Sequence, residues 1–231
     1  MSEGQTVVVS VRRIRRVLLA AVAALLVLDQ AVLFARFFLG RGRLWGLYSL
    51  FDLDVETSIS TYFQSTLLLG AAISLWLLGR ARPEARRVAW ILAAATFWVS
   101  MDEASQIHEL LIVPIRLLLD AGGVFRAAWV IPGLLVAVGV VILTVRLLRI
   151  LGPDVRRLLV LGGALYLAGA IGLEMLGGAW ADVHGTENAV YRMVFTSIEE
   201  TLEGVGIVLA LTSLLEAVRR ASGLVGVALA P

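Results

Sequence analysis

Two runs of acidic residues lie inside otherwise apolar stretches of this chain. One is Ser100-Met101-Asp102-Glu103-Ala104-Ser105-Gln106-Ile107-His108-Glu109, and the other is Thr196-Ser197-Ile198-Glu199-Glu200-Thr201-Leu202-Glu203. On a continuous helix Asp102, Ser105, Gln106 and Glu109 share an arc of about 100°, flanked by Glu103 and His108. Thr196, Glu199, Glu200 and Glu203 share an arc of similar width. Carboxylates gathered with an imidazole can hold a cation or exchange protons. Asp102, Glu103, His108, Glu109, Glu174, Glu199, Glu200 and Glu203 are therefore the candidate metal ligands. An oxygen-rich set with a single histidine favours Mn, Mg, Ca or Fe over a soft metal. Asp29, Arg36, Gln106, Glu56 and His184 are the candidates for proton exchange or charge pairing. Arg36 shares a helix face with Asp29, and Glu56 and His184 are expected at the mouth of the same pocket.

Established motifs are missing. His108-Glu109-Leu110-Leu111-Ile112 begins like a zinc-protease helix but carries Ile where the second histidine belongs. Glu103 precedes His108 by five residues, whereas a di-iron bundle needs three. No nucleophile elbow, phosphate loop or dinucleotide fingerprint is present. The chain has no Cys, which excludes disulfides and thiolate chemistry. No catalytic residue and no organic cofactor can be assigned from the sequence.

The surrounding segments explain why these acids matter. The 231 residues are 59% hydrophobic and 16% charged, with a mean hydropathy of +0.90. A soluble domain of this size could not bury so much apolar surface. A bilayer core of ~30 Å needs ~20 apolar residues per helix. Six segments qualify: 17–39, 61–78, 88–107, 127–145, 158–180 and 194–215. The expected fold is an all-α, single-domain polytopic membrane protein with six transmembrane helices. Residues 1–11 and 222–231 read as mobile tails. Ionisable groups inside spans are costly and default to functional readings.

Arginine placement sets the orientation. With both termini cytoplasmic, fourteen of the 20 basic residues and only four of the 18 acids fall on the inner side. The protein is thus expected in the cytoplasmic membrane, facing anionic lipid inside and carrying its acids outside. Nucleic acid is not an expected partner; lipids and a cation or lipid-like ligand are.

Four finer expectations follow. Pro114 and Gly122-Gly123 mark 110–119 as a short interfacial or re-entrant helix. Ala164, Ala168 and Gly172 form a small-residue stripe for close helix packing. Trp45, Tyr48, Tyr62, Trp129, Trp180 and Tyr191 read as an interfacial aromatic belt. Ser100-Met101-Asp102-Glu103 and Ser197-Ile198-Glu199-Glu200 align weakly, as inverted repeats would. Three functions fit: a small cation carrier, a membrane-embedded metal-dependent hydrolase on a lipid-like substrate, or an accessory subunit with a structural polar core.

Overall fold

The computed structural model describes residues 6–7, 10–41, 46–222 and 227–228. It is built of helices, joined by one two-residue antiparallel pairing of Thr6–Val7 with Val227–Ala228. The helices are α1 (Val11–Leu39), α2 (Leu47–Phe51), α3 (Ile59–Ala81), α4 (Arg86–Ser105) and α5 (Glu109–Leu119). They continue with α6 (Val130–Leu148), α7 (Pro153–Leu167), α8 (Glu174–His184) and α9 (Ser197–Ser222). Most of both expected tails, and Trp45, fall outside the described residues.

Five stretches are long and apolar enough to cross a membrane: Val11–Leu39, Ile59–Ala81, Val130–Leu148, Pro153–His184 and Tyr191–Ala221. The protein is a multi-pass helical membrane protein. The expected span at 88–107 is helical, as α4, but is not among the five, because its acids dilute its apolarity. α4 nevertheless packs along α3 more extensively than any other pair of elements. Trp90 Nε1 donates to the Trp76 carbonyl at one end, and Ser65 Oγ to the Ser100 carbonyl at the other.

α9 is the central helix, contacted by α7, α3 and α1. Its close approach to α7 depends on missing side chains. A Cβ on Gly206 would sit 2.6 Å from Tyr166 N and 2.7 Å from Gly162 O. One on Gly169 would meet Glu203 Cγ at 2.8 Å. The expected stripe is therefore displaced. Ala164 and Ala168 are exposed, and Gly172 has no neighbour within 4 Å of a Cβ; Gly162 and Gly169 make the contact instead.

Two π-helical turns depart from regular geometry. Ala168–Leu173 separates α7 from α8, and Tyr191–Thr196 leads into α9. Each ends just before acids of interest, Glu174 in one case and Glu199 in the other.

A helix does form at 109–119, but the break lies earlier than expected. α4 stops at Ser105, and Gln106 takes a left-handed conformation at φ 56°. Pro114 sits inside α5 without ending it, and no α5 residue is buried.

The half of the bundle away from the acids is apolar. Leu75, Leu78, Leu147, Leu151, Leu211 and Leu214 are buried in one cluster. The hydroxyls there are satisfied by their own helices: Ser74 by Gly70 O, Thr212 by Val208 O and Ser213 by Ala210 O.

Candidate metal centre

The turn after α4 is organised by Asp102. Its Oδ1 accepts the His108 backbone N–H at 2.8 Å, and its Oδ2 lies 2.9 Å from His108 Nδ1. One carboxylate thus stabilises the turn and fixes the imidazole. Trp129 closes the other side, with ring centroids 4.9 Å apart. Because the helix ends at Ser105, the single face of Asp102, Ser105, Gln106 and Glu109 does not exist. Gln106 is a turn residue, and Ser105 is exposed.

This turn brings His108 and Glu109 against Glu56, from the loop before α3. Glu56, His108 and Glu109 each offer one ligand atom, and these atoms lie within 4.8 Å of one another. Burial pushes the Glu56 carboxyl up to about 7; His108 works against that shift, while Glu109, Asp102 and Glu174 add to it. Burial disfavours the charged His108 ring, but the bond to Asp102 and the charges of Asp102, Glu56 and Glu109 prevail, raising its pKa above the usual value.

A second group of acids lies behind this triad. Glu174 feels the charges of His108, Glu109 and Glu199. Glu103 feels Glu56, His108 and Asp102; Glu203 feels Glu103, Glu174 and Glu56. Glu200 accepts from Gln64 Nε2 at 2.7 Å. Asp102, Glu103, His108, Glu109, Glu174, Glu199, Glu200, Glu203 and Glu56 thus lie within electrostatic reach of one another in one region of the bundle, and of these Glu56, His108 and Glu109 bring ligand atoms together. Tyr166, which sequence reasoning passed over, lies within electrostatic reach of Glu203 and Glu103.

Gln64 was also missed; it is 2% exposed, and its Oε1 has no partner. That oxygen would lie 3.7 Å from a Cβ on Gly204. Gln64 and Gly204 both line a cavity of about 10 Å³ between α1, α3 and α9, room for one water.

The remaining charge candidates lie outside this group. Asp29, 1% exposed, accepts from Leu53 N at 3.0 Å and Ser197 Oγ at 2.6 Å, tying α1 to α9 and to the α2–α3 loop. It does not pair with Arg36, which bonds Glu187 and the Tyr48 hydroxyl. His184 is exposed and stacks on Trp180, centroids 4.0 Å apart.

Three arginines, Arg36, Arg126 and Arg192, are engaged elsewhere. Buried Arg192 binds Asp54 and, at 2.5 Å, Asp52. Burial raises the Asp52 pKa in spite of Arg192. Arg126 pairs with Asp182 at 3.3 Å. Among the described residues no arginine forms an ion pair with Glu56, Glu103, Glu109, Glu174, Glu199, Glu200 or Glu203. Among the described residues, then, no arginine–carboxylate network balances this cluster.

Neither the curated proteins nor the solved structures contain a match to the chain. A family described as a domain of unknown function, DUF8692, matches residues 17–217. That match spans nearly all of the helical bundle, the carboxylate–histidine centre included, and the chain belongs to this family.

Proposed function

We propose that this is an integral membrane cation-binding protein, with a divalent ion seated among Glu56, His108 and Glu109 on the outer side of the bilayer. The observation carrying this reading is the convergence of three ligand atoms within 4.8 Å. It is strengthened by Asp102, which holds His108 Nδ1 and leaves Nε2 for a metal. Carboxylates orient metal-binding imidazoles in this way. Two carboxylates and one imidazole suit Mn²⁺, Fe²⁺, Mg²⁺ or Ca²⁺.

Six crossings, with α4 as the additional span, agree with the pairing of Thr6–Val7 with Val227–Ala228, which brings the two ends together. An odd number of spans would send them to opposite faces. The arginine-rich loops then place both ends in the cytoplasm and the acids outside.

Of the roles open to such an ion, metal-dependent hydrolysis of a lipid-like substrate has more support than carriage. The apolar inner half offers a moving ion no ligands. Three protein ligands leave positions for water, which a bound metal acidifies. α5 follows directly from the triad, with Leu117 and Leu118 each 81% exposed, as a helix lying in the outer leaflet would be. The triad then sits at headgroup depth.

Elemental analysis of the protein purified in detergent, followed by Mn²⁺ titration, tests the reading. A stoichiometric ion and at least tenfold weaker Mn²⁺ binding in His108→Ala are expected. Protein that neither carries an ion nor binds Mn²⁺ would overturn it.

A further inference from the structure

We infer that the cavity between α1, α3 and α9 binds a single Na⁺, held by Gln64, Glu200, Thr201 and Ser60. This site is separate from the Glu56–His108–Glu109 triad and does not depend on it. Gln64 is the starting point. Its Nε2 donates to Glu200 Oε2 at 2.7 Å, which turns Oε1 away from that carboxylate. Exchanging the two ends of the amide would set Oε1 against the Glu200 carboxylate, so charge fixes the orientation. Oε1 is then an acceptor without a partner, on a residue only 2% exposed. A buried acceptor left unmet forfeits its solvation, so a ligand that meets it is favoured.

The cavity supplies the independent observation. Gln64, Glu200, Thr201, Ser60 and Gly204 all line it, and its volume is about 10 Å³. That space admits one body the size of a water, and so a bare ion but not a hydrated one. Gly204 keeps it open beside the orphaned oxygen. A Cβ there would lie 3.7 Å from Gln64 Oε1 and 3.4 Å from Val22 Cγ2, which are ordinary contact distances.

The lining selects a cation over a water. Thr201 Oγ1 commits its only proton to the Ser197 carbonyl at 2.6 Å, so it has only lone pairs to offer. Gln64 Oε1 and the Glu200 carboxylate can only accept. A water has two protons for these three acceptors, whereas a cation meets all of them. It also offsets the charge of Glu200, with which no arginine pairs among the described residues. Ser60, 3% exposed, adds a fourth oxygen, and its hydroxyl makes no hydrogen bond among the described residues. One carboxylate among neutral oxygens matches a single positive charge, whereas divalent ions gather several carboxylates. Of the common monovalent ions, Na⁺ is small enough for the space.

The test is thermal unfolding of the full chain in detergent, with divalent ions removed by a sodium-free chelator. Na⁺ is raised from 1 to 100 mM while choline chloride holds the ionic strength constant. A Kd near about 10 mM would raise the melting temperature by about 3–6 °C. Radiolabelled Na⁺ should bind at one ion per chain. Glu200→Gln removes the charge and keeps the shape; Gly204→Ala fits at ordinary contact distances and fills the cavity. Both should lose the shift and the bound Na⁺, and either suffices if the other fails to fold. Equal melting temperatures in Na⁺ and choline, as a water in the cavity would give, overturn the site. A Na⁺-specific shift retained in a folded variant overturns it too, by placing the ion elsewhere. With divalent ions chelated, either failure leaves the reading of the outer triad standing.

Discussion

Asp102 grips His108 twice, through the backbone N–H at 2.8 Å and ring Nδ1 at 2.9 Å. The same carboxylate therefore ends one helix and aims the imidazole of the next turn. Replacing it with Asn keeps the shape but removes the charge that holds the ring. Mn²⁺ affinity of Asp102→Asn should fall about 10- to 100-fold, as for other groups that orient ligands. Isothermal titration against wild type reads this, and unchanged affinity would show that the bond plays no part in binding.

The metal-free protein should become more stable as pH falls from 8 toward 5. Glu56 has a folded pKa of about 7, far above its unfolded value, through burial and through Glu109, Asp102 and Glu174 acting against His108. The folded state then binds the extra proton between these limits, so stability declines as pH rises through about 7. His108, also raised, acts in the same direction: its contribution is present below its unfolded value and is lost as pH climbs through the folded one. Melting temperatures in a chelator, from pH 5 to 8, measure the trend. Glu56→Gln should flatten it.

Gly206→Ala should destabilise the bundle by about 1–3 kcal/mol, because its Cβ would press on backbone atoms of α7 at 2.6 and 2.7 Å. Gly163→Ala and Gly172→Ala, with nothing within 4 Å, should be neutral or mildly stabilising. Thermal unfolding of the three variants separates the real packing stripe from the one expected from spacing.

Removing one side of a buried ion pair strands the other. Arg192→Leu should cost about 3–5 kcal/mol, because Asp52 is 1% exposed and loses its partner. If Arg192→Leu melts like wild type, that network contributes nothing to holding the loop that carries Glu56.

The absence of native cysteine allows single-cysteine labelling. In intact cells an impermeant maleimide should label Thr57→Cys and not Glu84→Cys, both exposed positions. The reverse pattern would invert the assigned orientation.

Helix content and the grouping of the acids were legible because apolar run length and intramembrane charge are local signals. The end of α4 was not. Pro114 announced a break it does not make; the carbonyl it leaves unpaired belongs to Leu110, 71% exposed, so α5 tolerates it. The actual break at Gln106 is imposed by Asp102 reaching forward to His108, which leaves no mark in composition. Pairing of Arg192 with Asp52 and Asp54 spans about 140 residues of chain and depends on packing alone. Glu56 illustrates the same limit, since its place beside His108 comes from the loop that Asp29 anchors through Leu53 N. In α4 the acids Asp102 and Glu103 themselves weakened the hydropathy that would identify a span.

The apolar packing of the half of the bundle away from the acids has an electrical consequence. Where no water or polar chain penetrates, most of the transmembrane voltage falls across that layer. Moving one elementary charge through the whole field involves about 2.3 kcal/mol per 100 mV. In the proposed orientation, an ion entering the carboxylate–histidine centre from outside would stop short of the layer around Leu78, Leu147 and Leu214 and cross only a small fraction of the field. Its occupancy should therefore respond to external concentration and pH, and scarcely to whether the cell is energised.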